Sequence, residues 1–139
     1  MTTARSIRDL FDRYEEMVAK QDGGAAAQLY ADVFVASSPA GLMSGVNDES
    51  FADVINQGYG HYRSLGLESM TISGIDERWL GDDHCVATVH WHSTFTTTEP
   101  IDFEVTYLVR ADGDELRIFG WVSHEDEAAV FRERGLTPG

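Results

Sequence analysis

The chain has 139 residues, of which 42% are apolar, and its 24 acidic and 10 basic side chains give a formal charge of −14. That length suits one domain, residues 1–139, and three Trp, five Tyr and seven Phe can fill a core without covalent staples. The charge argues against a phosphate-binding nucleic-acid surface and against anionic membranes, and the single cysteine, Cys85, excludes an intrachain disulfide.

Residues 4–22 carry Ile7, Leu10, Phe11, Tyr14 and Val18 at helical spacing, and Gly23-Gly24 reads as the stop. A short helix is expected over 25–31. Val33-Phe34-Val35 reads as a strand broken by Ser37-Ser38-Pro39-Ala40-Gly41. Asn47 or Asp48 can cap a third helix, over 48–65, that bears Phe51, Val54, Ile55, Tyr62 and Leu65 and stops at Gly66. There the hydrophobic period changes to two. Antiparallel strands are expected over 67–79, 85–95, 101–109 and 116–122, with turns at Gly81-Asp82-Asp83 and Asp112-Gly113. Ser123 caps a last helix, over 124–134, with Glu125, Asp126 and Glu127 at its positive end and Arg132 and Arg134 at its negative end. This helix reads as a solvated amphipathic element. Helices first and a strand meander after is an α+β pattern. No apolar leader precedes the first helix, and no stretch reaches the roughly 20 apolar residues of a membrane span. The reading is a cytoplasmic protein.

Register decides which side chains share a face, because a one-residue slip inverts them all. A two-residue loop at Asp112-Gly113 pairs Val109 with Leu116 and Tyr107 with Ile118. A five-residue loop over 96–100 pairs Trp91 with Val105 and Val89 with Tyr107. One face then carries Ala87, Val89, Trp91, Phe95, Phe103, Val105, Tyr107, Val109, Leu116, Ile118 and Val122. The other carries His90, His92, Asp102, Glu104, Thr106, Arg117, Phe119 and Trp121, whereas an even-length loop before Ile101 would reverse the assignment and bring His90 and His92 beside Tyr107.

The first helix around Phe11-Asp12-Arg13-Tyr14, the segment Leu29-Tyr30-Ala31-Asp32-Val33-Phe34-Val35, the Asp112-Gly113 turn and Gly120-Trp121-Val122-Ser123 carry a resemblance across nearly the whole chain. It resembles the nuclear transport factor 2-like superfamily, with its SnoaL-like and ketosteroid-isomerase-like domains. The resemblance implies a cone-shaped α+β domain, a cystatin-like roll whose curved antiparallel sheet wraps around N-terminal helices. It also implies a pocket at the cone's mouth and frequent homodimers. Where ketosteroid isomerases place their base Asp, this chain has Ser38, and the region of their acid Asp, 105–107, holds no carboxylate. Tyr14 matches the place of the family's oxyanion tyrosine.

Tyr14, Tyr62, Trp91, Phe95, Phe103 and Tyr107 are the candidate lining of an apolar pocket with a few polar tips and no ionised carboxylate base. The leading reading is a SnoaL-like domain that binds a small apolar or oxygenated organic molecule. Two alternatives stand beside it. One is a cofactor-independent isomerase, cyclase or dehydratase using His90 or His92, an H-x-H pair that points one way from its strand. The other is an interaction module acting as a dimer without a ligand. Phe119 and Trp121 on the outer face point to a homodimer interface. One H-x-H, even with His124, Asp102 or Glu104 as a third ligand, is a thin basis for a metal site, and no metal is expected. No phosphate loop, nucleophile elbow or dinucleotide fingerprint is present, so no cofactor is expected.

Overall fold

A computed structural model describes residues 6–136. The elements run α1 (Ile7–Lys20), α2 (Gly23–Ala27), β1 (Tyr30–Ser38), β2 (Gly41–Val46), α3 (Glu49–Ser64), β3 (Leu67–Leu80), β4 (His84–Phe95), β5 (Ile101–Asp112), β6 (Glu115–Ser123) and α4 (Glu127–Glu133). Six strands form one curved open sheet in the order β2-β1-β6-β5-β4-β3. Every neighbouring pair is antiparallel except β1 with β6, which is parallel. The expected antiparallel meander from β3 to β6 is present. Among the described residues no helix is long and apolar enough to cross a membrane.

Each helix starts on the residue chemistry that its N-terminus needs. The Ser6 hydroxyl accepts from the Asp9 N–H, Asp22 from Ala25, Asp48 from Ser50 and Asp126 from Ala129. These caps correct two boundaries. Gln21 closes α1 in the left-handed region (φ 54°) and Asp22 opens α2 at once, so Gly23-Gly24 begins a helix instead of ending one. At the other end β6 runs through Ser123, and Asp126, not Ser123, caps α4. Asn47 is not a cap either. Its amide donates to the Ala27 carbonyl at 2.7 Å and to that of Tyr30 at 3.2 Å, which ties β2 to the end of α2.

The expected loop after Val35 is instead a hairpin. β1 continues to Ser38 and β2 returns from Gly41, with Ser38 opposite Gly41 and Phe34 opposite Gly45. The Ser38 hydroxyl accepts from the Ala40 N–H at 3.1 Å, so Ser38 belongs to the hairpin turn.

The strand faces fall almost as expected, although both loops differ. Trp91 lies opposite Phe103 and Val89 opposite Val105, two residues from the expected pairing, because Ser93 and Ile101 already pair before the loop. A shift of two preserves the face. Ala87, Val89, Trp91, Phe95, Phe103, Val105 and Tyr107 therefore point inward and are buried, while His90 and His92 point outward. The β5–β6 turn is Gly113-Asp114, with Gly113 at φ 66°, again a shift of two.

One assignment is wrong. Val109 faces Ile118 but Leu108 faces Gly120, so Phe119 is an extra residue, a β-bulge. Beyond it the faces invert. Trp121 sits opposite Tyr107 and packs inward, with its ring 5.6 Å from those of Tyr30 and Phe34. Val122, expected inside, is outside. Phe119 stays outside, edge-on to His84.

Inside the curve, α1 lays Ile7, Leu10 and Phe11 against the inward residues of β4, β5 and β6. Phe11 is fully buried, with its ring centroid 4.9 Å from that of Tyr107. This contact sets the depth of α1 in the cone, and hence the position of Tyr14 one turn on.

Candidate functional site

Space remains where the helices do not fill the cone. A cavity of about 120 Å³ lies between α1, α3, α4 and the sheet. Tyr14 and Val18 reach it from α1, and Tyr59 and Tyr62 from α3. Trp91 comes from β4, Phe103, Val105 and Tyr107 from β5, and Glu127 from α4. Five of the six expected lining residues are therefore brought together. The sixth, Phe95, is displaced by one layer. It packs on Phe131, which in turn packs on Phe103 and Tyr62.

The polar tips form two hydrogen-bonded groups. In the first, Tyr14 and Tyr30 share a hydrogen bond of 2.6 Å between their hydroxyls, and Trp91 Nε1 donates to the Tyr107 hydroxyl at 3.1 Å. In the second, the Tyr62 hydroxyl donates to Glu127 Oε1 at 2.5 Å. Burial raises the hydroxyl pKa of Tyr14, Tyr30, Tyr62 and Tyr107, which keeps all four as neutral hydrogen-bonding groups. The Tyr59 hydroxyl is different. It is buried and, among the described residues, has no hydrogen-bond partner. Unpaired buried hydroxyls are uncommon and costly, so this one is open to a polar atom in the cavity.

Glu127 adds to the cavity a carboxyl that the expected lining did not include. Burial pushes its carboxyl pKa up, against the lowering effect of the Tyr62 hydrogen bond. Sequence reasoning placed it on a solvated helix because three acids follow one another at a helix start. The missed signal is helical spacing. Glu127 and Phe131 are four residues apart and share a face of α4, so burying Phe131 turns Glu127 inward as well.

The histidines do not reach this cavity. On the outer face His90 Nε2 lies 2.7 Å from Asp76 Oδ2 and His92 Nδ1 lies 2.6 Å from Asp102 Oδ1. The Asp76 hydrogen bond raises the His90 pKa. His124 bonds Thr106 at 2.7 Å and lies 3.5 Å from Glu104. Among the described residues no group of three or more His, Cys, Asp or Glu is arranged to hold a metal ion. Ser38 is in the β1–β2 turn, away from the cavity lining. A larger groove, of about 540 Å³, opens on the outer face over β1, β2 and β6 and is lined by Val33, Val35, Val46 and Phe119 among others. The buried polar groups converge on the smaller interior cavity and not on this groove.

A family model described as NTF2-like protein (DUF6841) matches residues 4–126. An NTF-2 like protein of unknown function from Shewanella oneidensis MR-1 superposes with a TM-score of 0.66 at 22% identity, covering 86% of this chain and 96% of its own. A protein of unknown function with a cystatin-like fold from Nostoc punctiforme PCC 73102 gives a TM-score of 0.63 at 14% identity, covering 86% and 88%. A hypothetical protein with a ketosteroid isomerase-like fold from Catenulispora acidiphila DSM 44928, crystallised in complex with trimethylamine, gives 0.60 at 14% identity, covering 95% and 96%. No curated protein matches. At these identities the likeness is one of fold.

Proposed function

The chain belongs to the NTF2-like protein family (DUF6841), and from that premise we propose that the interior cavity binds a small organic molecule. The observation that carries this reading is the unpartnered Tyr59 hydroxyl in a cavity whose walls are mainly aromatic and aliphatic, with the Glu127 carboxyl and the Gln21 amide as further polar groups. A relative crystallised with trimethylamine lends it support. Burial of the molecule supplies affinity at about 25 cal/mol per Å² before the costs of binding. A thermal-shift screen of small alcohols, ketones and amines tests it. At least one chemical series is expected to raise the melting temperature. Trp91→Ala, which removes a wall, should weaken the best compound by about tenfold or more, a loss of about 1.4 kcal/mol. Tyr107→Phe should weaken it less. A flat screen across all three series would remove the reading.

A second reading is favoured by the outer face, where Val33, Leu42 and Val46 are each more than half exposed on neighbouring strands. An apolar patch of this kind suits self-association, and Phe119 extends it. The interface is then moved toward β1 and β2 relative to the Phe119–Trp121 pair, since Trp121 faces inward. Sedimentation at micromolar concentration should give a dimer mass, and Val33→Glu should give a monomer with an unchanged far-UV spectrum. A wild-type monomer under those conditions would refute it.

A further inference from the structure

The interior cavity is lined by one acidic side chain, Glu127, and by no Lys, Arg or His. Among the described residues Glu127 has no ion-pair partner; its one bond is from the neutral Tyr62 hydroxyl. A carboxylate in apolar surroundings is costly unless a cation or several donors compensate it. This site supplies one donor and no cation. Burial accordingly raises its pKa, and the neighbouring Glu125 raises it further.

The walls supply what a cation would need. Tyr14 meets Trp91 with ring centroids 5.9 Å apart at 70°, and meets Tyr107 at 5.8 Å and 61°. All three rings line the same space as Glu127. Rings set at steep angles present electron-rich faces from more than one direction, which favours a small organic cation over a neutral molecule of the same shape. Tyr59, 9% exposed, adds a hydroxyl with free lone pairs that can accept from an N–H.

We propose that the cavity selects small alkylammonium ions, with Glu127 as their counter-ion and the Tyr14, Trp91 and Tyr107 rings as their cage. This rests on the reading of the cavity as a ligand site and names the ligand class. The other negative charges do not explain such selectivity, because a general field from a chain of charge −14 survives the loss of one carboxylate.

A pair of probes with matched shape tests it: tert-butylammonium chloride and tert-butanol, titrated calorimetrically at pH 7.5 and equal ionic strength. Wild-type protein should bind the ammonium ion at least about tenfold more tightly than the alcohol. In Glu127→Gln, whose amide can still accept from Tyr62, the preference should fall to within about twofold while alcohol binding persists. Tyr62→Phe frees the carboxylate and should keep the preference. Equal or tighter binding of the alcohol by wild type would overturn the ammonium assignment and leave the cavity reading standing. The wild-type comparison needs no variant to fold. A preference that survives in folded Glu127→Gln would overturn the role of Glu127. If neither probe binds and the thermal-shift screen is also flat, the cavity reading falls together with this one.

Discussion

Phe11→Ala is expected to destabilise the protein by about 3–5 kcal/mol, the range for deleting a fully buried aromatic ring. Phe11 has no exposed surface, and its ring stands 4.9 Å from Tyr107 and 6.1 Å from Tyr14. The loss has two parts: transfer of the ring to water, and a void that α1 cannot close. Ile7 and Leu10, also buried, hold the helix at its present depth, so the space stays largely empty. Phe11→Leu keeps most of the volume and should lose less than half as much. Urea unfolding measures both, and the slope with denaturant should be unchanged if the native fold persists. A loss below about 1 kcal/mol for the alanine variant would mean that α1 slides to refill the site, against the close packing on which the argument rests.

The same residue shows what the sequence makes legible. Ile7, Leu10, Phe11, Tyr14 and Val18 recur at helical spacing, and the structure buries or half-buries each of them on one side of α1. The period-two face of β4 and β5 was equally readable, and it survived two errors of pairing because both shifts were even. Local pattern therefore yields faces more securely than partners. β2 was not readable. Five of its six residues are exposed, so Leu42 and Met43 leave no alternation of burial to detect. The parallel pairing of β1 with β6 was hidden for another reason. It joins residues far apart in the chain, with no short loop to fix a register. Within the site, the aromatic walls followed from strand parity. Glu127 did not, because a run of acids at a helix start is read first as complement to the helix dipole and only then as a face.

Trp121 was misplaced by a single inserted residue, and that insertion leads to the second large effect. Gly120 follows the bulged Phe119 and is paired on both sides, with Leu108 of β5 and with Val35 of β1. A β-carbon placed there would lie 2.9 Å from the Val35 carbonyl oxygen and 3.2 Å from Leu108 Cδ1. The nearer atom is backbone, held in the β1–β6 seam, so it cannot swing aside as a side-chain tip could. Gly120→Val should therefore force the strands apart and cost about 1–3 kcal/mol, the range for overpacking a filled site. Trp121, the next residue, packs on Tyr30 and Phe34 across that seam, so the variant should also change the near-ultraviolet circular dichroism while the far-ultraviolet spectrum is kept. Gly58 gives the contrast. It lies inside α3, and a β-carbon there meets nothing within 4 Å. Gly58→Ala should then stabilise by about 0.5–1 kcal/mol through helix propensity and reduced freedom of the unfolded chain. Chemical denaturation of the two variants should give shifts of opposite sign. If Gly120→Val unfolds at the wild-type midpoint, the β1–β6 seam is looser than this packing requires, and the inward placement of Trp121 falls with it.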